Sequence, residues 1–169
     1  MQLEECFDYK NQLMYDILTN ETIVKLINDQ YDLKSAKELV YKQVFPYEYI
    51  PETVYNGQTF VTFDVEVQNS SMSTKTFYKP TLYIWVFSHM SNLRLPNGGG
   101  VRTDKICSEI CKVINGSRYY GLGEMNLYSV RRYAPMTDYN GKQMTFTMNE
   151  FMKVYDGKRK VPSNRKAGV

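Results

Sequence analysis

The sequence is short of the residues that usually build metal and catalytic sites, with 3 cysteines and 1 histidine in 169 residues. Cys6, Cys107 and Cys111 form an odd set without repeated spacing, which excludes a disulfide framework and a four-ligand zinc site. Reduced thiols in the interior are expected. No apolar stretch approaches the roughly 18 to 20 residues that cross a bilayer. Residues 1–10 carry acids where a secretory leader carries basic and then apolar residues, so synthesis in the cytosol and no membrane partner are expected. There is no GxxxxGK[ST] loop and no GxGxxG after a strand, and Gly98, Gly99 and Gly100 lack the neighbouring lysine and hydroxyl that would cradle a nucleotide. No repeat with a period of about 20 to 50 residues is present. These absences predict a protein without cofactor.

Strong charge is also missing from the body of the chain. The net charge is +3, yet residues 156–169 hold Lys158, Arg159, Lys160, Arg165 and Lys166 against Asp156, a local +4 that leaves −1 for the remainder. A body so close to neutral is poorly suited to gripping DNA without sequence preference.

Aromatic side chains are plentiful, at 14% of residues with 15 Tyr and 8 Phe, and the 43% apolar and 23% charged fractions are those of one folded domain. Residues 7–41 have helical spacing, as in Leu13, Ile17 and Leu18 and then Ile23, Leu26 and Ile27, with Asn20 and either Asp32 or Ser35 placed to cap two or three short helices. Residues 44–57, VFPYEYIPETVYNG, contain Pro46 and Pro51, which remove amide donors and favour extended backbone. This segment is predicted to be an extended aromatic arm.

Residues 59–67, TFVTFDVEV, alternate as a strand with Val61, Phe63, Val65 and Val67 on the core face. A second strand over 77–87 completes a hairpin with a long tip. In it Leu82, Ile84 and Val86 face one way and Tyr83, Trp85 and Phe87 the other, as in a central strand or one whose second face meets a partner. The loop over 88–100 is long enough to suggest ordering by a partner. Residues 103–114 are the clearest helix, with Thr103 as N-cap and Asn115 and Gly116 as the stop. Two further strands are predicted over 126–133 and 143–146, with Asn140 and Gly141 as the turn between them. The expected fold is α+β: an antiparallel sheet of about four strands on one main amphipathic helix, with N-terminal helices and extended arms. The expected organisation is a helical segment over 1–43, the arm over 44–58, the core over 59–155 and a basic tail over 156–169.

Three constellations invite a chemical reading. Asp64 and Glu66 share a strand face and offer hard oxygen donors to a divalent cation, as in a metal-dependent nuclease, but Gln68 stands where a catalytic lysine would be sought, and a solvated strand face is the competing reading. His89 has no nucleophile or carboxylate at a recognisable spacing and reads as a surface or capping residue. Arg131 and Arg132, with Tyr128 and Tyr133, could meet phosphates and stack bases, although neighbours on one strand face opposite sides. Lys158, Arg159 and Lys160 are the other candidate nucleic-acid contacts. No catalytic, metal or cofactor residue is assigned.

Two stretches carry a family likeness. LYIWVFSHM over 82–90 runs through a loop into VRTDKICSEICKVING over 101–116, and LYSVRRYAPMTDYNGKQMTFTM covers 127–148. Their order resembles the tail terminator, or head-to-tail joining, proteins of long-tailed bacteriophages. The resemblance implies a non-catalytic virion protein, assembled in the host cytoplasm as a homo-oligomeric ring, usually a hexamer, that caps the tail tube and meets the neck connector while DNA passes through its lumen. Tyr83, Trp85, Phe87, Tyr47 and Tyr49 are then the candidate interface aromatics. The N-terminal helices, arm and tail exceed the compact family core and leave open another neck position, connector or stopper. A small nucleic-acid-binding protein is the alternative of a different class.

Overall fold

A computed structural model describes residues 3–55, 57–69, 77–120, 123–148 and 152–153. Helices α1 (Leu3–Thr19) and α2 (Glu21–Ile27) are separated at Asn20, whose side chain accepts from the Ile23 N–H at 3.1 Å as the sequence predicts. The expected third helix shrinks to a short 3-10 turn over Ala36–Leu39. Asp32 and Ser35 organise the turn before it together: Asp32 accepts from the backbone N–H groups of Lys34 and Ser35 at 3.0 Å each, and the Ser35 hydroxyl oxygen accepts from the Asp32 N–H at 3.1 Å.

One sheet contains four long strands, β2 (Thr59–Asn69), β3 (Phe77–His89), β4 (Met125–Tyr133) and β5 (Tyr139–Met148), with two-residue strands β1 (Val44–Phe45) and β6 (Met152–Lys153). Its order is β1-β2-β3-β5-β4, with β6 also on β3. The long strands pair antiparallel, and only β1 joins parallel to its neighbour. The α+β expectation therefore holds, with two short strands added to the predicted four. The hairpin tip over 70–76 lies outside the described residues.

The inner face carries an aliphatic core. Leu13 and Ile17 of α1, Ile23, Val24 and Ile27 of α2, and Ile106, Ile110 and Ile114 of α3 (Arg102–Ile114) cover Phe63, Ile84, Val86 and Phe146. Isoleucines four residues apart on α3 make one continuous stripe, and each buried aliphatic side chain contributes about 1.5–3 kcal/mol. Helix α3 begins one residue earlier than expected, with Val101 as an N-cap that makes no side-chain bond, and Thr103 lies buried inside the helix. The reason is tertiary: a bridge between Arg94 and Val101 and the Arg102 N–H bond to the Leu93 carbonyl, at 2.8 Å, set where the helix starts. These bonds and the 2.9 Å Leu95–Gly100 backbone bond also tie the 88–100 loop from within.

The predicted Asn140–Gly141 turn is not formed. Both residues lie inside β5, and the chain reverses over 134–138. Gly141 is there for space: a Cβ on it would stand 2.0 Å from the Val86 carbonyl oxygen and 2.6 Å from the Phe87 Cα.

Candidate functional site

The outer face of the sheet is aromatic. Alternation along β3 sends Tyr83, Trp85 and Phe87 outward, and the register sets Phe87 between Phe60 on β2 and Gly141 on β5, with Tyr133 beyond. Phe60 and Phe87 stack with centroids 5.2 Å apart, and Tyr139 meets both edge-on at 5.9 and 5.6 Å. The Phe87 and Tyr133 rings meet over the empty side of Gly141 at 5.8 Å.

The arm closes this cluster. β1 places Phe45 over Phe60, Tyr49 stacks on Phe45 at 3.9 Å, and at the far end the Tyr139 hydroxyl accepts from the Tyr55 N–H at 2.9 Å and donates to the Tyr55 carbonyl at 3.2 Å. Phe87 is thus fully enclosed and Trp85 only 7% exposed, so among the expected interface aromatics these two are sealed by their own chain. Phe87 meets Phe60, Tyr133 and Tyr139, and Trp85 meets Tyr83 and Tyr133, while Phe45 and Tyr49 of the arm lie over Phe60. Tyr83 and Tyr49 are half-buried, and Tyr47 remains exposed. Burial first, and then the Glu66 carboxylate beside it, pushes the Tyr83 hydroxyl up from its ordinary pKa against the opposing effect of Arg131.

Among the exposed apolar side chains of the described residues, some lie at the two outer edges of the sheet. Beside β1, Tyr41 and Tyr47 are exposed and stack at 6.3 Å, and Ile50, Val54 and Tyr55 are exposed farther along the arm. Tyr41 holds the left-handed backbone conformation at φ 57°, a strained state for a side chain of its size. At the β4 edge, Tyr128 is 71% exposed and Val130 stands beside a groove of about 520 Å³ between α3 and β4, lined by Cys111, Leu127 and Met144. A register irregularity between Leu127 and Ser129 lifts Tyr128 out of the alternation.

The other candidates fall apart as constellations. Arg131 pairs in register with Gln143 on the aromatic face, whereas Arg132 pairs with Lys142 on the opposite face. Asp64 is ion-paired with Lys10 of α1 and accepts its neighbour's N–H at 2.7 Å, while Glu66 is drawn toward Tyr83. Among the described residues no group of three His, Cys, Asp or Glu is placed to hold a metal. His89 caps its own turn through Ser91, accepting from the Ser91 N–H at 3.2 Å. Burial, followed by Asp104, pushes the Cys107 thiol up to about 12, which leaves it unreactive. Lys158, Arg159 and Lys160 lie outside the described residues.

Sequence reading missed Tyr41 and Val130, and it named Tyr128 as a base-stacking residue and not as an apolar edge residue. Tyr128 and Val130 sit in a predicted strand; the bulge, which leaves no mark in the composition, displaces Tyr128, and the edge position of β4 leaves Val130 beside the groove. A family model named YomW matches residues 20–148, more than half of the chain, from the Asn20 cap to the end of β5. No curated protein matches the chain.

Proposed function

The chain belongs to the YomW family, a Bacillus phage-region protein family, and from that premise we propose that it is a non-catalytic structural protein of the virion, a tail terminator-like subunit. In this reading it assembles in the host cytoplasm as a homo-oligomeric ring of about six copies that caps the tail tube and joins it to the neck. A connector or stopper position in the same neck would use the same surfaces.

One observation carries the proposal: the strand order puts exposed apolar side chains at both outer edges of one sheet, Tyr41 and Tyr47 beside β1 and Tyr128 and Val130 on β4. A ring needs such a pair, because a head-to-tail contact repeats patch against counter-patch around an axis until it closes. The arm's tyrosines at the β1 edge and the Tyr128–Val130 groove at the β4 edge supply aromatic anchors and a recess for them. A near-neutral body lets DNA pass without being gripped. Sheet-based nucleic-acid binding is less well supported, since Arg131 and Arg132 serve opposite faces.

Native mass by multi-angle light scattering, alone and with isolated tail tubes at low and high salt, tests the reading. A ring-sized mass in either condition that Tyr128→Ser with Val130→Ser abolishes supports it. A monomer that also ignores tail tubes overturns it, and a salt-sensitive complex with copurified DNA favours the nucleic-acid alternative.

A further inference from the structure

Away from the aromatic face, α2, the end of the arm, the 90–101 loop and the first turn of α3 meet around Arg102. This side chain is only 8% exposed, yet among the described residues no carboxylate oxygen lies within 4.0 Å of its guanidinium. Neutral acceptors hold it instead. Nε donates to the Asn92 carbonyl at 2.8 Å, Nη1 to the Leu26 carbonyl at 2.7 Å and Nη2 to the Asn92 side-chain oxygen at 3.1 Å. A guanidinium has five N–H donors, so one on Nη1 and one on Nη2 are left without an acceptor among the described residues. Arg102 borders a cavity of about 170 Å³ whose wall is polar, with Asn28, Asp29, Gln30, Gln43 and Asn92 around it. Gln43 is itself buried and its position is set by bonds to Asn28 and to the Thr59 carbonyl at 2.9 Å each.

We infer that this cavity binds a compact oxyanion, the carboxylate of a small organic acid, on the two free N–H groups of Arg102. Asp29, on the same wall, offsets the guanidinium charge only from beyond 4.0 Å, and an anion on the two free N–H groups supplies a closer counter-charge. The volume equals that of roughly six water molecules, well below a drug-sized pocket, and so limits the ligand to a few heavy atoms. A planar monoanion matches the flat guanidinium, and Asp29 on the same wall disfavours the second charge of phosphate. Arg102 also ties α2 to α3 through Leu26, so occupancy braces the seam between them. The inference stands apart from the ring reading.

The test follows the Arg102 Nε–H resonance of the full-length ¹⁵N-labelled protein during titration with acetate, phosphate or chloride at constant ionic strength. The expected result is a saturable shift with acetate, weaker binding of phosphate and none of chloride. Asp29→Asn, a surface change that leaves the fold intact, should tighten acetate about threefold by removing a nearby like charge. Arg102→Lys should weaken it about tenfold by breaking the planar contact. Equal, non-saturating shifts with all three salts mean an adventitious ion only and overturn the inference. So does acetate binding that Asp29→Asn leaves unchanged, or phosphate binding tighter than acetate.

Discussion

The inner face of the sheet is closed by three helices and aliphatic side chains, the outer face by an irregular arm and a stack of rings. On the inner side, helical and strand periods mesh, every partner is set by regular backbone bonds, and the buried residues form one continuous cluster. On the outer side, a smaller cluster of Phe45, Phe60, Trp85, Phe87 and Tyr139 is held by a two-residue strand at one end and a tyrosine hydroxyl at the other. The difference teaches where cooperativity resides. Removing inner contacts is expected to weaken the whole fold, whereas the arm is expected to open with little change elsewhere, because few of its backbone groups belong to the sheet.

The largest break should come from the inner face. Phe146→Ala empties a fully buried site between β3 and the helices and is expected to cost about 4 kcal/mol in urea unfolding. Gly141→Ala comes next, at about 3 kcal/mol, because the new Cβ collides with β3 backbone that cannot move alone. Its effect should appear in the global transition although the collision is on the outer face. A loss confined to the arm would show that the faces are more separable than their shared strands imply.

Tyr139→Phe sharpens the comparison from the other side. It keeps the ring against Phe60 and Phe87 and deletes the hydroxyl that both accepts from and donates to Tyr55. A loss of about 1.5 kcal/mol is expected, with faster amide exchange at Tyr55 and unchanged exchange along β3. Uniformly faster exchange would mean that the arm is part of the cooperative core.

The inner face was legible in the sequence because its signals are periodic: 59–67 and the helix before Asn115 each announce their buried side. The outer face was legible only in part. The paired aromatics of β3 promised a covered or partnered surface, but which residues cover them depends on the arm folding back, and nothing local in VFPYEYIPETVYNG encodes Tyr55 meeting Tyr139 84 residues away. Asn140 and Gly141 misled for a related reason: a dipeptide with strong turn preference was placed in a strand by a close approach to Val86 that only the assembled sheet reveals. Arg102 drew no notice because its neighbours in space, Leu26 and Asn92, are distant in sequence or lie in a loop.

The smallest effect at neutral pH belongs to Tyr133, at the junction of the outer cluster and the β4 edge. Its hydroxyl is buried without an acceptor in hydrogen-bonding geometry, and burial, followed by the nearby Glu48 carboxylate, pushes its pKa up to about 12. A tyrosine in the unfolded chain ionises near 10. The folded state therefore favours the neutral phenol, and the associated stability is fully present below about pH 10 and is lost as pH rises from about 10 to 12. Tyr133→Phe removes both the unpaired hydroxyl and this titration. At pH 7 it should change stability by no more than about 0.5 kcal/mol, since no partner is left behind. Between pH 10 and 12 its unfolding midpoint should fall less steeply than that of the parent chain, with urea unfolding followed by circular dichroism as the measure. Parallel pH profiles would mean that Tyr133 ionises as freely in the fold as in water, and that the outer face is open where the arm is drawn closed.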